Sequence, residues 1–216
     1  LATLGGAAAI LSPDGQTLAF VAQKTGGAPQ LYVRRLDQLE ATLLSGTDGA
    51  RDPFFSPDGR WIAFIAGAKL KKIAVTGGTV VPLSDGELGG TWAEDGTIVF
   101  SPSFLGPLAR VSSDGGIPAP ITTLAEDEIT HRWPQLLPGG MAVLYTASNS
   151  PASVVNANLV VQSLPGGPRK IIQRGATYGR YLPSGRGSPT RADREGGHLV
   201  YVQGGTLFAA PFDLTR

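Results

Sequence analysis

One phrase recurs along this chain and limits what it can fold into. Ile10 to Ala22 reads ILSPDGQTLAFVA, and 44 residues further on Phe54 to Ala66 reads FFSPDGRWIAFIA. In Ser-Pro-Asp-Gly the proline fixes φ, the aspartate can bond its own backbone and the glycine supplies a positive φ. Aromatic and β-branched residues flank the turn on both sides, so each copy predicts a β-hairpin. Weaker copies follow at Trp92–Phe100, Gln135–Tyr145 and Arg180–Gly185, the last with its second strand displaced to His198–Val202. The copies start at 12, 56, 93, 137 and 182. A period near 40, with room for four short strands in each copy, is the sequence signature of propeller blades.

The chain is therefore expected to be all-β, a β-propeller of about five four-stranded blades. The blades fall at roughly 7–50, 51–88, 89–130, 131–176 and 177–216 together with 1–6, in a single domain. Within a blade we call the strands a to d. Strand a is expected at Ala8–Leu11, Pro53–Ser56, Thr91–Ala93, Pro134–Leu137 and Tyr178–Leu182. The fifth blade has candidates for a, b (His198–Gln203) and c (Thr206–Phe212) but none for d before Arg216. Leu1–Leu4 is the candidate for that strand, because closing a ring in this way hides edge strands that would otherwise pair with other molecules. The alternative is a strand-swapped oligomer. The segment Arg186–Gly197, which separates a from b in blade five, is expected to be a loop on the Ser-Pro-Asp-Gly face with no part in a site. It offers no apolar anchor larger than Ala192.

Composition narrows the function classes. There are no cysteines, so disulfides and thiolate metal sites are excluded. A net charge of +1 gives no general drive toward nucleic acid or an anionic membrane. The longest apolar runs fall far short of the ~20 residues a spanning helix needs, and no leader-like start is expected in LATLGGAAAIL.

The paired Ser-Pro-Asp-Gly turns followed by Leu-Ala-Phe or Ile-Ala-Phe resemble the repeats of TolB and the related WD-repeat-like family. LYVRRLDQLEATLLSGTDGARDPFFSPDGRWIAF, KLKKIAVTGGTVVPL, HRWPQLLPGG and HLVYVQGGTLFAAPFDL resemble more narrowly the sensor-like propellers at the C-terminus of bacterial membrane-anchored serine/threonine protein kinases. That resemblance implies a piece of a longer protein, an extracytoplasmic location and a recognition role. No kinase phosphate loop, His-Arg-Asp or Asp-Phe-Gly is present.

Candidate site residues come from blade alignment. The d–a loops lead into the innermost strands, and propeller ligands commonly sit at such a concave mouth. Alignment stacks Arg51-Asp52-Pro53 on Arg132-Trp133-Pro134, with His131 one step earlier and Arg180 in the next blade. Arg51, Asp52, His131, Arg132, Trp133 and Arg180 are thus the candidate ligand-binding residues, an arginine collar for a small anion or a partner's carboxylate. The alternative is that the arginines pair with Asp52, Asp85, Glu87 or Glu126-Asp127-Glu128. Lys69, Lys71 and Lys72 read as a solvated strand face. Three function classes follow: a non-catalytic recognition propeller binding a small ligand or protein; a channel-sited hydrolase with a divalent metal, for which Asp52 and His131 are the available ligands; and a structural piece that oligomerises. No cofactor is required by the first.

Overall fold

The computed structural model describes residues 6–184 and 196–214, and they form nineteen strands with no helix. Blade one is β1 (Ala9–Leu11), β2 (Thr17–Gln23), β3 (Pro29–Arg35) and β4 (Thr42–Leu43). Blade two is β5 (Arg51–Phe55), β6 (Trp61–Ala66), β7 (Lys69–Ala74) and β8 (Val81–Asp85). Blade three is β9 (Gly90–Trp92), β10 (Thr97–Phe100), β11 (Ala109–Ser112) and β12 (Ala119–Pro120). Blade four is β13 (Thr130–Leu136), β14 (Ala142–Ser148), β15 (Asn158–Ser163) and β16 (Arg169–Arg174). Blade five holds β17 (Thr177–Pro183), β18 (Gly196–Gln203) and β19 (Thr206–Asp213). Every pairing is antiparallel between strands consecutive in sequence. The molecule is a five-bladed β-propeller, as the repeat predicts.

The turn chemistry explains the hairpins atom by atom. In blade two the Ser56 hydroxyl donates to Asp58 Oδ1 at 2.5 Å and accepts the Trp61 N–H at 2.9 Å, while Gly59 N–H donates to the Ser56 carbonyl at 2.9 Å. Ser12, Asp14, Gly15 and Thr17 repeat these contacts in blade one at 2.5, 2.8 and 2.9 Å. Gly15 and Gly59 sit at φ 71° and 69°, a conformation that costs an L side chain strain.

Blades are joined face to face by apolar clusters. Ile62, Phe64 and Ile73 of blade two pack on Ala19, Leu31 and Val33 of blade one. Ile65 and Leu70 pack on Ile98, Phe100 and Val111. Val99 and Leu108 meet Val143, Tyr145 and Val160, and Leu144 and Leu159 meet Tyr181, Leu199 and Tyr201. Among the described residues no such cluster joins blade five to blade one, and β19 exposes Leu207 and Phe208. The expected closing strand, Leu1–Leu4, lies outside the described residues, as do positions 186–195 of the segment between β17 and β18. Gly196 and Gly197, expected in that loop, belong to β18. The two-residue extension is possible because Gly197 lies against Tyr181, whose ring would be 2.6 Å from a Cβ there.

The inner strands depart from the expected pattern in one respect. β5, β13 and β17 each carry a bulge, between Arg51 and Phe54, Arg132 and Gln135, and Thr177 and Arg180. The bulged residues Asp52, Trp133 and Tyr178 have φ of 50°, 49° and 53°, and Gly89 holds the matching place in blade three at 74°. A bulge sets two residues against one, so it shifts the alternation of side chains by one residue and re-aims them.

Candidate functional site

The bulges decide which side chains reach the axis. A cavity of about 150 Å³ lies where the inner strands converge, walled by Gly6, Asp52, Phe54, Thr91, Trp133, Gln135, Tyr178 and Arg180 among others. The bulged residue of each strand enters it, and so does the residue two places on: Phe54, Thr91, Gln135 and Arg180.

Of the residues proposed from sequence, Asp52, Trp133 and Arg180 are brought together here. Arg51, Arg132 and His131 are not on this wall. Arg51 turns toward the next blade, bonded to the Glu87 carboxylate and carbonyl and 3.3 Å from Asp52 Oδ2, with Phe104 against it at 5.9 Å. Arg132 is fully buried and donates to the carbonyls of Ser150 and Pro151 at 3.1 and 2.9 Å, which pins the β14–β15 loop. Among the described residues it has no carboxylate partner, and burial alone lowers its pKa. Thus one arginine finds the acidic neighbours anticipated as the alternative, and the other finds main-chain carbonyls instead.

His131 is also fully buried, but between blades three and four. Its Nδ1 lies 2.8 Å from the Thr122 hydroxyl and its Nε2 3.0 Å from Glu128 Oε2, with Tyr145 at a ring distance of 4.4 Å. Burial lowers its pKa despite the carboxylate. The neutral ring then donates from Nε2 to Glu128 and accepts at Nδ1 from Thr122, whose oxygen accepts the Leu108 N–H. Glu128 is bonded on both oxygens by Arg169 of β16. Burial pushes the Glu128 carboxyl up, but Arg169, the Ala125 N–H and His131 together outweigh it and hold the group at about 2.

Around the cavity the polar groups are unevenly satisfied. Asp52 is buried, accepts the Gly6 N–H and has its pKa raised by desolvation, against the pull of Gly6, Arg51 and Arg180. Arg180 donates from one nitrogen to the carbonyls of Trp133 and Gly179 at 2.9 and 2.8 Å, and its guanidinium lies 4.1 Å over the Tyr178 ring. No carboxylate pairs directly with it among the described residues. Trp133 is 2% exposed, and its Nε1 donor has no hydrogen-bond partner. A Cβ built on Gly6 would stand 3.2 Å from that nitrogen, so the indole edge lies close against the Gly6 backbone. Val154 and Ala157 of the β14–β15 loop pack on the Trp133 ring. Sequence reasoning missed Tyr178, Gln135 and Thr91, and no motif marks them.

On the face of the Ser-Pro-Asp-Gly turns the channel widens into a funnel of about 680 Å³, walled by Phe55, Trp92, Leu136, Met141, Tyr181 and Pro183 with others. Phe54, Thr91 and Gln135 line both spaces and form the neck between them. Among the described residues no group of three or more His, Cys, Asp or Glu is placed to hold a metal ion, and Asp52 and His131 do not share a cavity. Among the described residues no helix is long and apolar enough to cross a membrane.

No family model matches the chain. A 52-residue stretch, 24% of the chain, is 44% identical to an uncharacterized peptidase, YuxL, of Bacillus subtilis, and covers 8% of that protein. Among solved structures, TolB from Acinetobacter baumannii superposes with a TM-score of 0.69 at 17% identity, over 95% of this chain and 54% of that one. The fold is that of a TolB-like, WD-repeat-like propeller. An oligogalacturonate lyase in complex with manganese superposes at 0.67 with 17% identity, over 95% of this chain and 61% of the other. The Swd1 propeller domain of Myceliophteria thermophila superposes at 0.62 with 10% identity, over 94% and 67%. The chain spans less than two thirds of the TolB and lyase chains it matches.

Proposed function

We propose that this propeller is a non-catalytic recognition module whose central channel binds a carboxylate, carried by a small ligand or by a partner protein. The observation that carries this reading is the Trp133 indole N–H, buried and unpartnered on the wall of a cavity that also holds the Arg180 guanidinium. A buried donor without a partner costs about 1–3 kcal/mol, which a bound acceptor recovers. Arg180 supplies the charge, and its stacking on Tyr178 fixes its position. Asp52, on the same wall, opposes an anion while ionised, and its burial, which raises its pKa, weakens that opposition as pH falls. His131 lies away from the cavity and has no part in this site.

The hydrolase alternative has less support. Among the described residues no histidine, serine or cysteine lines the cavity, which leaves out the commonest nucleophiles and bases. A place on the extracytoplasmic side, as the sensing end of a receptor, is the setting implied by the kinase-linked resemblance. Calorimetric titration of acetate and citrate against wild type, Trp133→Phe and Arg180→Gln tests the reading. Binding by wild type that weakens at least fivefold in each variant at pH 7 is the expected result. Equal binding by all three proteins, or none by wild type, refutes it.

A further inference from the structure

We infer that the natural occupant of the channel is the C-terminal tail of a partner protein, apolar at its end and basic upstream; this rests on the carboxylate reading of the inner cavity. The two compartments have complementary chemistry and meet at a shared neck. Arg180 is level with that neck, since it stands two residues beyond its bulged residue, as do Phe54, Thr91 and Gln135. A carboxylate held by Arg180 and the Trp133 N–H is therefore at the bottom of the funnel, and whatever follows it outward lies against the funnel wall. That wall is aromatic and aliphatic: Phe55, Trp92, Leu136, Met141 and Tyr181. Met141 is 70% exposed. About 680 Å³ is room for several apolar side chains, far more than a small acid would fill.

Charge sets the direction of entry. Among the described residues, the charged ones lining the funnel, Glu94 and Asp95, are both acidic, and the Thr97 N–H holds the Asp95 carboxyl below its ordinary range. Asp14 and Asp58 stand on the neighbouring turns and their carboxyls are likewise held low by Ser12 and Ser56. Of the nearby bases, Arg60 lies 3.9 Å from Asp58 and Arg35 2.8 Å from Asp37, while Arg110 of β11 acts on Asp95. A carboxylate is therefore disfavoured at the rim and favoured at the base, while a lysine or arginine is favoured at the rim. An acidic side chain within a continuous peptide would have to seat two chain segments in the funnel above Arg180. A chain terminus brings one, and the carboxylate leads.

The test uses one eight-residue peptide ending in Leu-Phe-Leu with two lysines upstream, prepared as the free acid and as the C-terminal amide, with acetate as the minimal probe. Peptide binding is read by fluorescence polarisation and acetate binding by calorimetry, with wild type, Trp133→Phe, Arg180→Gln and Met141→Arg. Met141 is solvent-facing, so its substitution leaves the fold intact even if a cavity variant fails to fold. The free acid should bind wild type at least tenfold more tightly than the amide. That gap should close in Trp133→Phe and Arg180→Gln, and Met141→Arg should weaken the peptide while leaving acetate unchanged. Equal binding of acid and amide overturns the tail and points to an internal segment in the funnel. Acetate binding without peptide binding overturns the tail but leaves the carboxylate site standing. Failure of every probe removes both.

Discussion

Replacing Glu128 with glutamine isolates an electrostatic contribution that ties blades three and four together. The carboxylate bridges three elements: Arg169 on β16, His131 on β13 and the Ala125 N–H of the loop between blades three and four. Its side chain is 6% exposed, so solvent screens it little. The folded value of about 2 against an ordinary 4.5, at 1.36 kcal/mol per unit, corresponds to roughly 3 kcal/mol. Arg169 is 26% exposed, which lowers the expectation to about 2–3 kcal/mol. The sign follows from linkage. A carboxyl whose folded pKa is depressed stabilises the fold fully above the unfolded value and loses that contribution as pH falls toward the folded one. Urea unfolding at pH 7 should therefore show Glu128→Gln less stable by about 2–3 kcal/mol, a Tm loss of roughly 4–12 °C for a chain of this size. Repeated between pH 4.5 and pH 2, the difference between the two proteins should shrink toward zero. A difference below about 0.5 kcal/mol at pH 7, or one that does not change with pH, would refute the reasoning.

Ser56→Ala removes the hydroxyl that closes the blade-two turn while Asp58 and the Trp61 N–H lose their partner; a loss of about 1–2 kcal/mol is expected in chemical denaturation. Gly90→Ala would drive a methyl to 2.6 Å from Phe54 Cζ at the neck, and should cost about 1–3 kcal/mol in the same assay. Asp52→Asn keeps a residue type that tolerates positive φ and removes a buried charge. Because the folded pKa of Asp52 is raised, the charged form opposes folding above its ordinary 3.8, so Asp52→Asn should be at least as stable as wild type at pH 7. That advantage should narrow as pH falls through the raised value, which parallel unfolding at pH 7 and pH 4 would measure.

The blades were legible because their turns are local chemistry. Ser-Pro-Asp-Gly specifies its own hydrogen bonds, and a 44-residue repeat of it specifies an array. The site was only half legible, and the bulges are the reason. Nothing in Arg-Asp-Pro or Arg-Trp-Pro announces a left-handed residue, since tryptophan and tyrosine gain nothing from positive φ. Strict alignment set Arg51 and Arg132 over the channel; the inserted residue sends Asp52, Trp133 and Tyr178 there and turns Arg51 toward Glu87 and Arg132 onto the β14–β15 loop of its own blade. Arg180, two places on, reaches the axis by the same displacement. The role of His131 could not be read either, because Glu128, Arg169 and Thr122 meet it only through packing of blades three and four.

The bulge has a consequence for how such a ring can be rewritten. In each of four blades one backbone position is held left-handed by the pairing on either side of it, whether it carries aspartate, glycine, tryptophan or tyrosine. The scaffold thus behaves as a socket with exchangeable teeth. A library confined to positions 52, 89, 133 and 178 would change the acidity, size and aromaticity of the inner wall. The flanking ladders, which keep the blades in register, would stay untouched.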